Sequence, residues 1–349
     1  MKNIGIIFGG KSPEYRVSLE SVTSILNEMN KELYIPILIG VSKEGTWYKF
    51  NGDIAKIVED TWVNHDDCIP CLLSPNPADS KLLVLKQNKI ESIVLDAVFP
   101  IMHGANGEDG TIQGYIKLSG IPIVGCDVLA SALCMDKYRS HQLISNEGIQ
   151  CAKSHVFNQS TIHLISVYCD EIGYPCFMKP VNAGSSFGIS KVNNKTELKQ
   201  AIDLAFQYDH EIIVEEFING FEVGCAIIGD KNLIVGRIDE IELSEGFFNF
   251  DEKYTLKTSS IHVPVRISIE KEEEIKETAK RIYKALGCSG FARVDCFINQ
   301  KSEIMFNEVN TIPGFTAHSR FPSMLKAIGY TFQEIITMVI EEAFNNEES

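Results

Sequence analysis

The stretch that decides the fold runs from Phe291 to Arg320 and reads FARVDCFINQKSEIMFNEVNTIPGFTAHSR. It contains two short apolar runs joined by a polar turn, which predicts a β-hairpin. The predicted strands are Phe291–Ile298 and Ile304–Val309. A two-residue turn centred on Gln300 and Lys301 would place Asp295 opposite Phe306.

Four polar side chains share one face of this predicted hairpin. Alternation puts Arg293 with Asp295 and Glu308 with Asn310, and the same turn places Arg293 opposite Glu308. Carboxylate and amide oxygens suit Mg²⁺ held with nucleotide phosphates, and an arginine beside them suits developing negative charge. A solvated face with a cross-strand Arg–Glu pair is the alternative. The Gly/Pro turn at 311–315, which presents free backbone amides, favours a phosphoryl-transfer site.

Composition limits the class of protein. The chain has 349 residues, enough for two or three domains, and a net charge of −15. Such an acidic chain argues against a nucleic-acid partner. No apolar run reaches the roughly 20 residues that a membrane span needs. The ten cysteines mostly lie in apolar runs, and the single CxxC at Cys68–Cys71 has no second pair. We therefore expect a reduced, cytoplasmic enzyme with no membrane partner.

The N-terminal segment predicts the opening of an α/β unit. Ile4–Phe8 reads as a buried strand, a glycine loop follows, and a helix starts near Ser18. Gly5–Ser12 formally matches a P-loop pattern, but its variable positions are strand core, which leaves too few residues to wrap a phosphate. Glu14 in the loop would repel phosphate and suits an ammonium group.

A second glycine loop follows the predicted strand Val94–Ile101. It reads HGANGEDG from His103, and glycines at the carboxyl end of a strand are typical of ligand loops in open α/β sheets. His103 is a candidate hydrogen-bond donor to a substrate carboxylate, with a turn histidine of no role as the alternative. The pattern changes near Gly125, where we place a domain boundary.

The middle of the chain carries candidates for nucleotide binding. A predicted helix, Ser131–Glu147, carries Lys137, and Lys179 lies at the base of the Gly/Ser loop at 180–188. The predicted strand Ile212–Phe217 carries the adjacent acids Glu215 and Glu216. One of them could accept from ribose hydroxyls, and a side chain out in solvent is the alternative. Residues 246–257, GFFNFDEKYTLK, form an aromatic and charged loop typical of a mobile lid.

Eight blocks in this order resemble the D-alanine–D-alanine ligase family of ATP-grasp enzymes, over essentially the whole chain. They are GGKSPEYRVSLES, HGANGEDGTIQG, MDKYRSHQL, MKPVNAGSSFGISKV, VEEFINGFE, EKYTLK, ARVDCF and NEVNTIPGFTAHS. The resemblance implies a three-domain α/β ATP-grasp ligase. Its N-terminal Rossmann-like, substrate-binding domain would span 1–125, its central subdomain 126–214, and its C-terminal subdomain, with lid and metal site, 215–349.

The resemblance also implies how the cofactor and metal are held. The lysines on ATP phosphates would be Lys137 and Lys179. The adenine and ribose site would comprise Glu215, Phe217, Ile218 and Glu222, with Glu216 beside them. The ligands of two Mg²⁺ ions, for which Mn²⁺ can substitute, would be Asp295, Glu308 and Asn310.

The same comparison implies the substrate groups. Glu14 would receive the ammonium of the first D-alanine, with His103 close to that substrate. Arg293 and the amide of Gly314 would stabilise a tetrahedral intermediate. The set that holds the lid closed would be Ser185, Tyr254 and Glu14. The second substrate would meet Lys253, Ser319 and Arg320.

The implied reaction joins D-alanine to a second D-amino acid through a D-alanyl phosphate, for peptidoglycan precursors. Arg320 stands where the housekeeping ligases usually have leucine, and Lys253–Tyr254 is a pair that the D-lactate enzymes lack. This combination is similar to VanC/VanG-type D-alanine–D-serine ligases of vancomycin resistance. D-Alanine is the alternative second substrate. Other ATP-grasp carboxylate–amine ligases and a non-catalytic nucleotide-binding regulator are the remaining alternatives. Homodimers are usual in the family.

Overall fold

The computed structural model describes residues 1–64, 66–78, 80–184, 187–243 and 259–345. These residues form three β-sheets with helices packed on them, an α/β architecture. The strands are β1 (Lys2–Gly9), β2 (Tyr34–Val41), β3 (Trp47–Phe50), β4 (Cys68–Leu73), β5 (Lys81–Lys86), β6 (Lys89–Val94), β7 (Ala97–Ile101), β8 (Gln150–Cys151), β9 (Ser154–Asn158), β10 (Cys176–Pro180), β11 (Ser190–Val192), β12 (Glu211–Glu216), β13 (Gly220–Ile228), β14 (Ile234–Val235), β15 (Asp239–Leu243), β16 (Ser259–His262), β17 (Phe291–Asn299) and β18 (Ile304–Asn310). The helices are α1 (Tyr15–Glu28), α2 (Ala55–Val58), α3 (Thr111–Leu118), α4 (Val128–Met135), α5 (Lys137–Asn146), α6 (Ile165–Ile172), α7 (Leu198–Ala205), α8 (Ile269–Ala285), α9 (Arg320–Lys326) and α10 (Phe332–Asn345). None of these helices is long and apolar enough to cross a bilayer.

The N-terminal sheet is built around β1. Its strand order is β6-β5-β4-β3-β2-β1-β7, with β1 parallel to both β2 and β7. Gly5 to Phe8 lie inside β1, so the formal P-loop match is strand core, as the sequence indicated. Helix α1 starts at Tyr15, three residues before the predicted position.

Helix α10 completes the core of this N-terminal sheet. Its apolar face, which includes Ile336 and Ile340, is fully buried in one cluster with Ile4, Ile6 and other side chains of the sheet. At its end Glu341 pairs with Lys2 at 3.0 Å and accepts a hydrogen bond from Tyr34 at 2.5 Å. The last helix of the chain is therefore part of the first structural unit.

Two further sheets make up the rest of the chain. The central sheet has the order β11-β10-β12-β9, and all its pairings are antiparallel. The C-terminal sheet runs β16-β15-β13-β17-β18-β8, with β14 on β13 and with β8 parallel to β18. The predicted domain division between residues 214 and 215 lies within β12, and the domain limits stay a prediction.

The hairpin of β17 and β18 exists, but its predicted register is wrong. Asp295 pairs with Glu308 and Arg293 with Asn310, a shift of two residues from the prediction. The turn is longer than two residues because the Asn299 side chain accepts from the amides of Lys301 and Glu303.

A β-bulge accounts for the rest of the shift. Cys296 pairs with Phe306 while Asp295 pairs with Glu308, so Asn307 is an extra residue in β18. A bulge re-aims the side chains beyond it. Without it, Asp295 would face Asn307 and Glu308 would point to the opposite face of the sheet. The bulge thus brings the predicted polar residues to one face.

The predicted single helix over residues 131–147 is also wrong, because two helices occupy this part of the chain. The helices α4 and α5 meet at Asp136, which has extended backbone angles. Its carboxylate accepts from the amide of Arg139 at 2.8 Å and caps α5. Lys137 consequently stands at the first residue of α5.

A cluster of phenylalanine rings joins the N-terminal sheet to the C-terminal sheet. Phe99 of β7 contacts Phe291 of β17 with ring centroids 5.9 Å apart, and Phe315 lies 5.9 Å from Phe99 and 5.7 Å from Phe291. Phe321 of α9 packs 5.5 Å from Phe315, and Phe332 of α10 packs 5.9 Å from it. Fully buried rings of this size dominate core energetics.

We expect the substitution Phe321→Ala to lower the free energy of unfolding by about 3–5 kcal/mol, because it removes a fully buried ring from this cluster. Leu129→Ala, at a side chain that is 68% exposed, is the control and should change it by less than about 0.5 kcal/mol. Urea unfolding measures both. Equal midpoints for Phe321→Ala and wild type would contradict this description of the cluster.

Candidate active site

The polar face of the β17–β18 hairpin is organised by Asp295. Its carboxylate accepts from Arg293 Nη2 at 2.7 Å and from Arg293 Nε at 2.8 Å. Asn310 Nδ2 donates to the same carboxylate at 2.9 Å. Asp295 is 1% exposed and Arg293 is 9% exposed, so both charges are buried and compensate each other.

Arg320 extends this network in a way that sequence reasoning missed. Its guanidinium donates to Asp239 through Nε at 2.7 Å and Nη2 at 2.9 Å, and to Glu222 at 2.7 Å. Asp295 Oδ1 lies 3.5 Å away. Burial by itself lowers the pKa of Arg320, but the charges of Asp239, Asp295 and Glu222 raise it by more. Arg320 therefore carries a fixed positive charge among three acids.

The side chains on this face fit magnesium in their chemistry. Asp295 and Glu308 offer carboxylate oxygens on paired strands, and Asn310, whose amide nitrogen donates to Asp295, has an amide oxygen to offer. Across the described ranges, no three His, Cys, Asp or Glu side chains cluster as a metal site.

A second group of predicted residues meets at the central sheet. Lys179 on β10 donates to Glu215 on β12 at 2.5 Å, and Lys137 Nζ donates to the carbonyl of Ala183. Burial raises the pKa of Glu215, but Lys179, His141 and Lys137 together outweigh burial and the pKa falls below its usual value. An ionised acid and two lysines thus lie beside the Gly/Ser loop.

The residues after Glu215 lie along the edge of this group. The amide of Glu216 donates to the carbonyl of Lys153 at 2.9 Å, and the amide of Lys153 donates to Oε1 of Glu216 at 2.9 Å. Phe217 is 37% exposed. The centroid of its ring lies 6.2 Å from that of Phe177 and 4.5 Å from Lys191 Nζ. Ile218 follows, half-buried. An exposed aromatic ring next to lysines suits a nucleotide base. Glu222 binds Arg320, and its role at the ribose stays a prediction.

Glu14 is buried where the N-terminal and central parts of the chain meet. Oε2 of Glu14 would lie 2.1 Å from a Cβ atom built at Gly104 and 2.7 Å from one built at Gly184. Gly104 also has φ +71°, which favours glycine. The two glycines allow both loops to approach the carboxylate closely.

His103 links the N-terminal sheet to the turn after β18. Nδ1 donates to the carbonyl of Ile312 at 2.9 Å, and Nε2 lies 3.2 Å from Ser21 Oγ. Burial lowers the pKa of His103 to about 4, against the opposing effect of the bond to Ile312, so the ring is neutral. Both ring nitrogens therefore have protein partners, and the predicted bond to a substrate carboxylate stays a prediction.

Glu108 is a buried acid that sequence reasoning did not single out. Its oxygens accept from the amides of Gly104 at 2.7 Å and Ile312 at 3.3 Å. Burial, reinforced by the charge of Glu14, raises the pKa of Glu108 to about 8. Glu108 lies within the HGANGEDG block, and this block was the sequence signal that could have identified it. Sequence reasoning also missed Ser21 and Asp239, and no motif in the sequence pointed to them.

The turn that carries Gly314 is fixed from several sides. The amide of Phe315 donates to Ser21 Oγ at 3.5 Å, and the amide of Thr316 donates to Ser319 Oγ at 3.0 Å. Together with the bonds to Ile312, these contacts hold residues 312–316 at the polar face. Ser185, Lys253 and Tyr254 lie outside the described residues, so their predicted roles stay predictions.

Known proteins resemble this chain along almost its whole length. Residues 3–126 match the family model for the D-ala D-ala ligase N-terminus, and residues 143–341 match the model for its C-terminus. The solved VanG D-Ala:D-Ser ligase from Enterococcus faecalis superposes with a TM-score of 0.90 at 51% sequence identity and covers 98% of this chain and 99% of its own.

Other relatives are named for vancomycin resistance or for the joining of two D-alanines. The vancomycin/teicoplanin A-type resistance protein VanA of Enterococcus faecium is 42% identical over 97% of both chains. A D-alanine–D-alanine ligase of Caldicellulosiruptor bescii is 40% identical over 97% of this chain and 94% of its own. Both family models and all three relatives show that the chain belongs to the D-alanine–D-alanine ligase family, whose solved members have the ATP-grasp fold.

Proposed function

We propose that this ligase joins D-alanine to D-serine at the expense of ATP, through a D-alanyl phosphate, to supply peptidoglycan precursors of the vancomycin-resistance type. The observation that carries the choice of D-serine is the buried Arg320–Asp239 pair next to Ser319, in a chain 51% identical to a D-Ala:D-Ser ligase. D-Alanine as second substrate is the alternative, supported by the 40% identity to a D-alanine–D-alanine ligase.

The described residues support each part of this chemistry. Glu14, buried between two loops, would bind the ammonium of the first D-alanine. Lys137 and Lys179 would bind phosphate oxygens of ATP beside the Gly/Ser loop. Asp295, Glu308 and Asn310 would hold Mg²⁺, which supplies positive charge to the phosphates when bound. Arg293 and the Gly314 amide would stabilise negative charge on the tetrahedral intermediate.

The preference for D-serine follows from polarity at the end of the site. In this chain the residue after Ser319 is a buried cation paired with carboxylates, where a leucine would present only methyl groups. A site with fixed polar groups favours a substrate that can hydrogen-bond to them, and such discrimination is stronger than that of an apolar pocket. A hydroxymethyl side chain is therefore favoured over a methyl.

The direct test incubates the protein with ATP, Mg²⁺, D-alanine and equimolar D-serine and identifies the dipeptides by mass spectrometry. We expect D-alanyl-D-serine as the main product and ATP cleavage that depends on D-alanine. D-Alanyl-D-alanine alone would contradict the proposed second substrate. No dipeptide at all would contradict the ligase activity.

We expect Lys179→Ala to lower D-alanine-dependent ATP cleavage at least about 100-fold, because it removes a positive charge from the phosphate site and leaves Glu215 without its partner. Lys195→Ala is the matched control, since Lys195 forms an exposed ion pair with Asp170. Coupled measurement of ADP release tests both. A fully active Lys179→Ala enzyme would contradict the proposed phosphate site.

The role of Arg320 needs a paired substitution. Arg320→Leu alone leaves Asp239 as an unpaired buried charge and should destabilise the fold by about 3–5 kcal/mol. Asp239→Leu/Arg320→Leu removes both members of the pair, and we expect its ratio of D-serine to D-alanine use to fall at least about tenfold. Competition between the two amino acids, read by mass spectrometry, measures the ratio. An unchanged ratio in a folded double variant would disprove this account of specificity.

A further inference from the structure

His141 on α5 is a buried side chain to which neither the family resemblance nor the proposed reaction gives a role. It is 2% exposed. Its Nε2 lies 2.7 Å from the carbonyl oxygen of Asn307, and because a carbonyl only accepts, Nε2 carries the donated proton. The ring also packs edge-on against Phe306, with centroids 5.3 Å apart. His141 thus contacts two successive residues of β18.

The partner of His141 is the extra residue of the β-bulge. Asn307 has no residue of its own opposite it on β17, and its carbonyl binds a side chain from another element. The next residue is Glu308, and Asn310 follows on the same face. Any relaxation of the bulge would rotate these two side chains away from Asp295, because a one-residue change of register reverses the faces.

The other ring nitrogen of His141 faces the nucleotide end of the site. Nδ1 lies 3.9 Å from Glu215 Oε1, and Glu215 binds Lys179 through its second oxygen at 2.5 Å. Within the described part of the chain, neither Nδ1 nor Glu215 Oε1 has a hydrogen-bond partner. The imidazole therefore stands between the acid that pairs with the phosphate lysine and the strand that carries two of the three proposed metal ligands.

We propose that His141 is a positioning residue for the metal site, which it serves by holding the Asn307 bulge in the register that directs Glu308 and Asn310 toward Asp295. This inference rests on the proposed function, because that function assigns the metal to these three side chains. Partners of metal ligands orient them, and loss of such a partner typically costs about 10- to 100-fold in metal affinity. In this role His141 acts through the backbone of the bulge.

The test measures Mn²⁺ binding, by electron paramagnetic resonance of free Mn²⁺, to the whole protein with a non-hydrolysable ATP analogue. We expect His141→Leu to weaken Mn²⁺ binding about tenfold and to lower kcat, with the KM for D-alanine within about twofold of wild type. His141→Gln should restore most of the affinity, because its amide nitrogen lies as many bonds from the backbone as Nε2 and can donate to the same carbonyl. His163→Leu, at an exposed histidine, is the control.

Two results would overturn the inference: wild-type Mn²⁺ affinity in His141→Leu, or equal losses in His141→Leu and His141→Gln. If His141→Leu does not fold, His141→Asn replaces it, since asparagine is polar but too short to reach Asn307. A wild-type protein that forms no dipeptide refutes the proposed function. A wild-type protein that forms dipeptide, with a His141→Leu variant that binds Mn²⁺ normally, refutes the role of His141 alone.

Discussion

Mutual compensation of buried charges is the constraint on which the site depends. Arg293 and Arg320 alternate with Asp295 and Asp239 in a region where each of these residues is at most 9% exposed. A buried charge without its partner costs several kcal/mol, so each of these groups fixes the position of the next. The network ties β15, β17 and α9 together and, through Glu222, reaches β13. The same contacts that make the sheet stable also place the polar face.

The site is also incomplete without the N-terminal sheet. Ser21, His103 and Glu108 come from α1 and the loop after β7, and they bind the backbone of Ile312 and Phe315 in the turn that carries Gly314. The phenylalanine cluster buries the interface beside these hydrogen bonds. Apolar packing therefore holds the two parts together, and a few directional bonds set the orientation of the turn that carries Gly314.

The sequence predicted correctly which side chains share a face of the β17–β18 hairpin, but it did not predict which residues of the two strands pair. Alternation predicted that Arg293, Asp295, Glu308 and Asn310 share one face, and this is correct even though the pairing is shifted, because a shift of two residues preserves the face. The longer turn at Asn299 and the bulge at Asn307 depend on side-chain and tertiary hydrogen bonds that no local pattern reveals. Likewise, the sequence predicted a special role for Arg320 but could not show that Asp239, 81 positions earlier, is its partner. The sequence also showed a helix pattern over residues 131–147. It did not show that the helix breaks at Asp136, whose carboxylate caps α5.

The packing of α10 on the N-terminal sheet has a consequence for the order in which the chain folds during synthesis. During synthesis the N-terminal sheet leaves the ribosome first, yet its core includes Ile336 and Ile340 from the last helix. Although α1 packs on the same strand early, the cluster that buries Ile4 and Ile6 stays incomplete until the residues of α10 have also been made. The N-terminal sheet therefore reaches its final packing only after the segments of both other sheets have been synthesised.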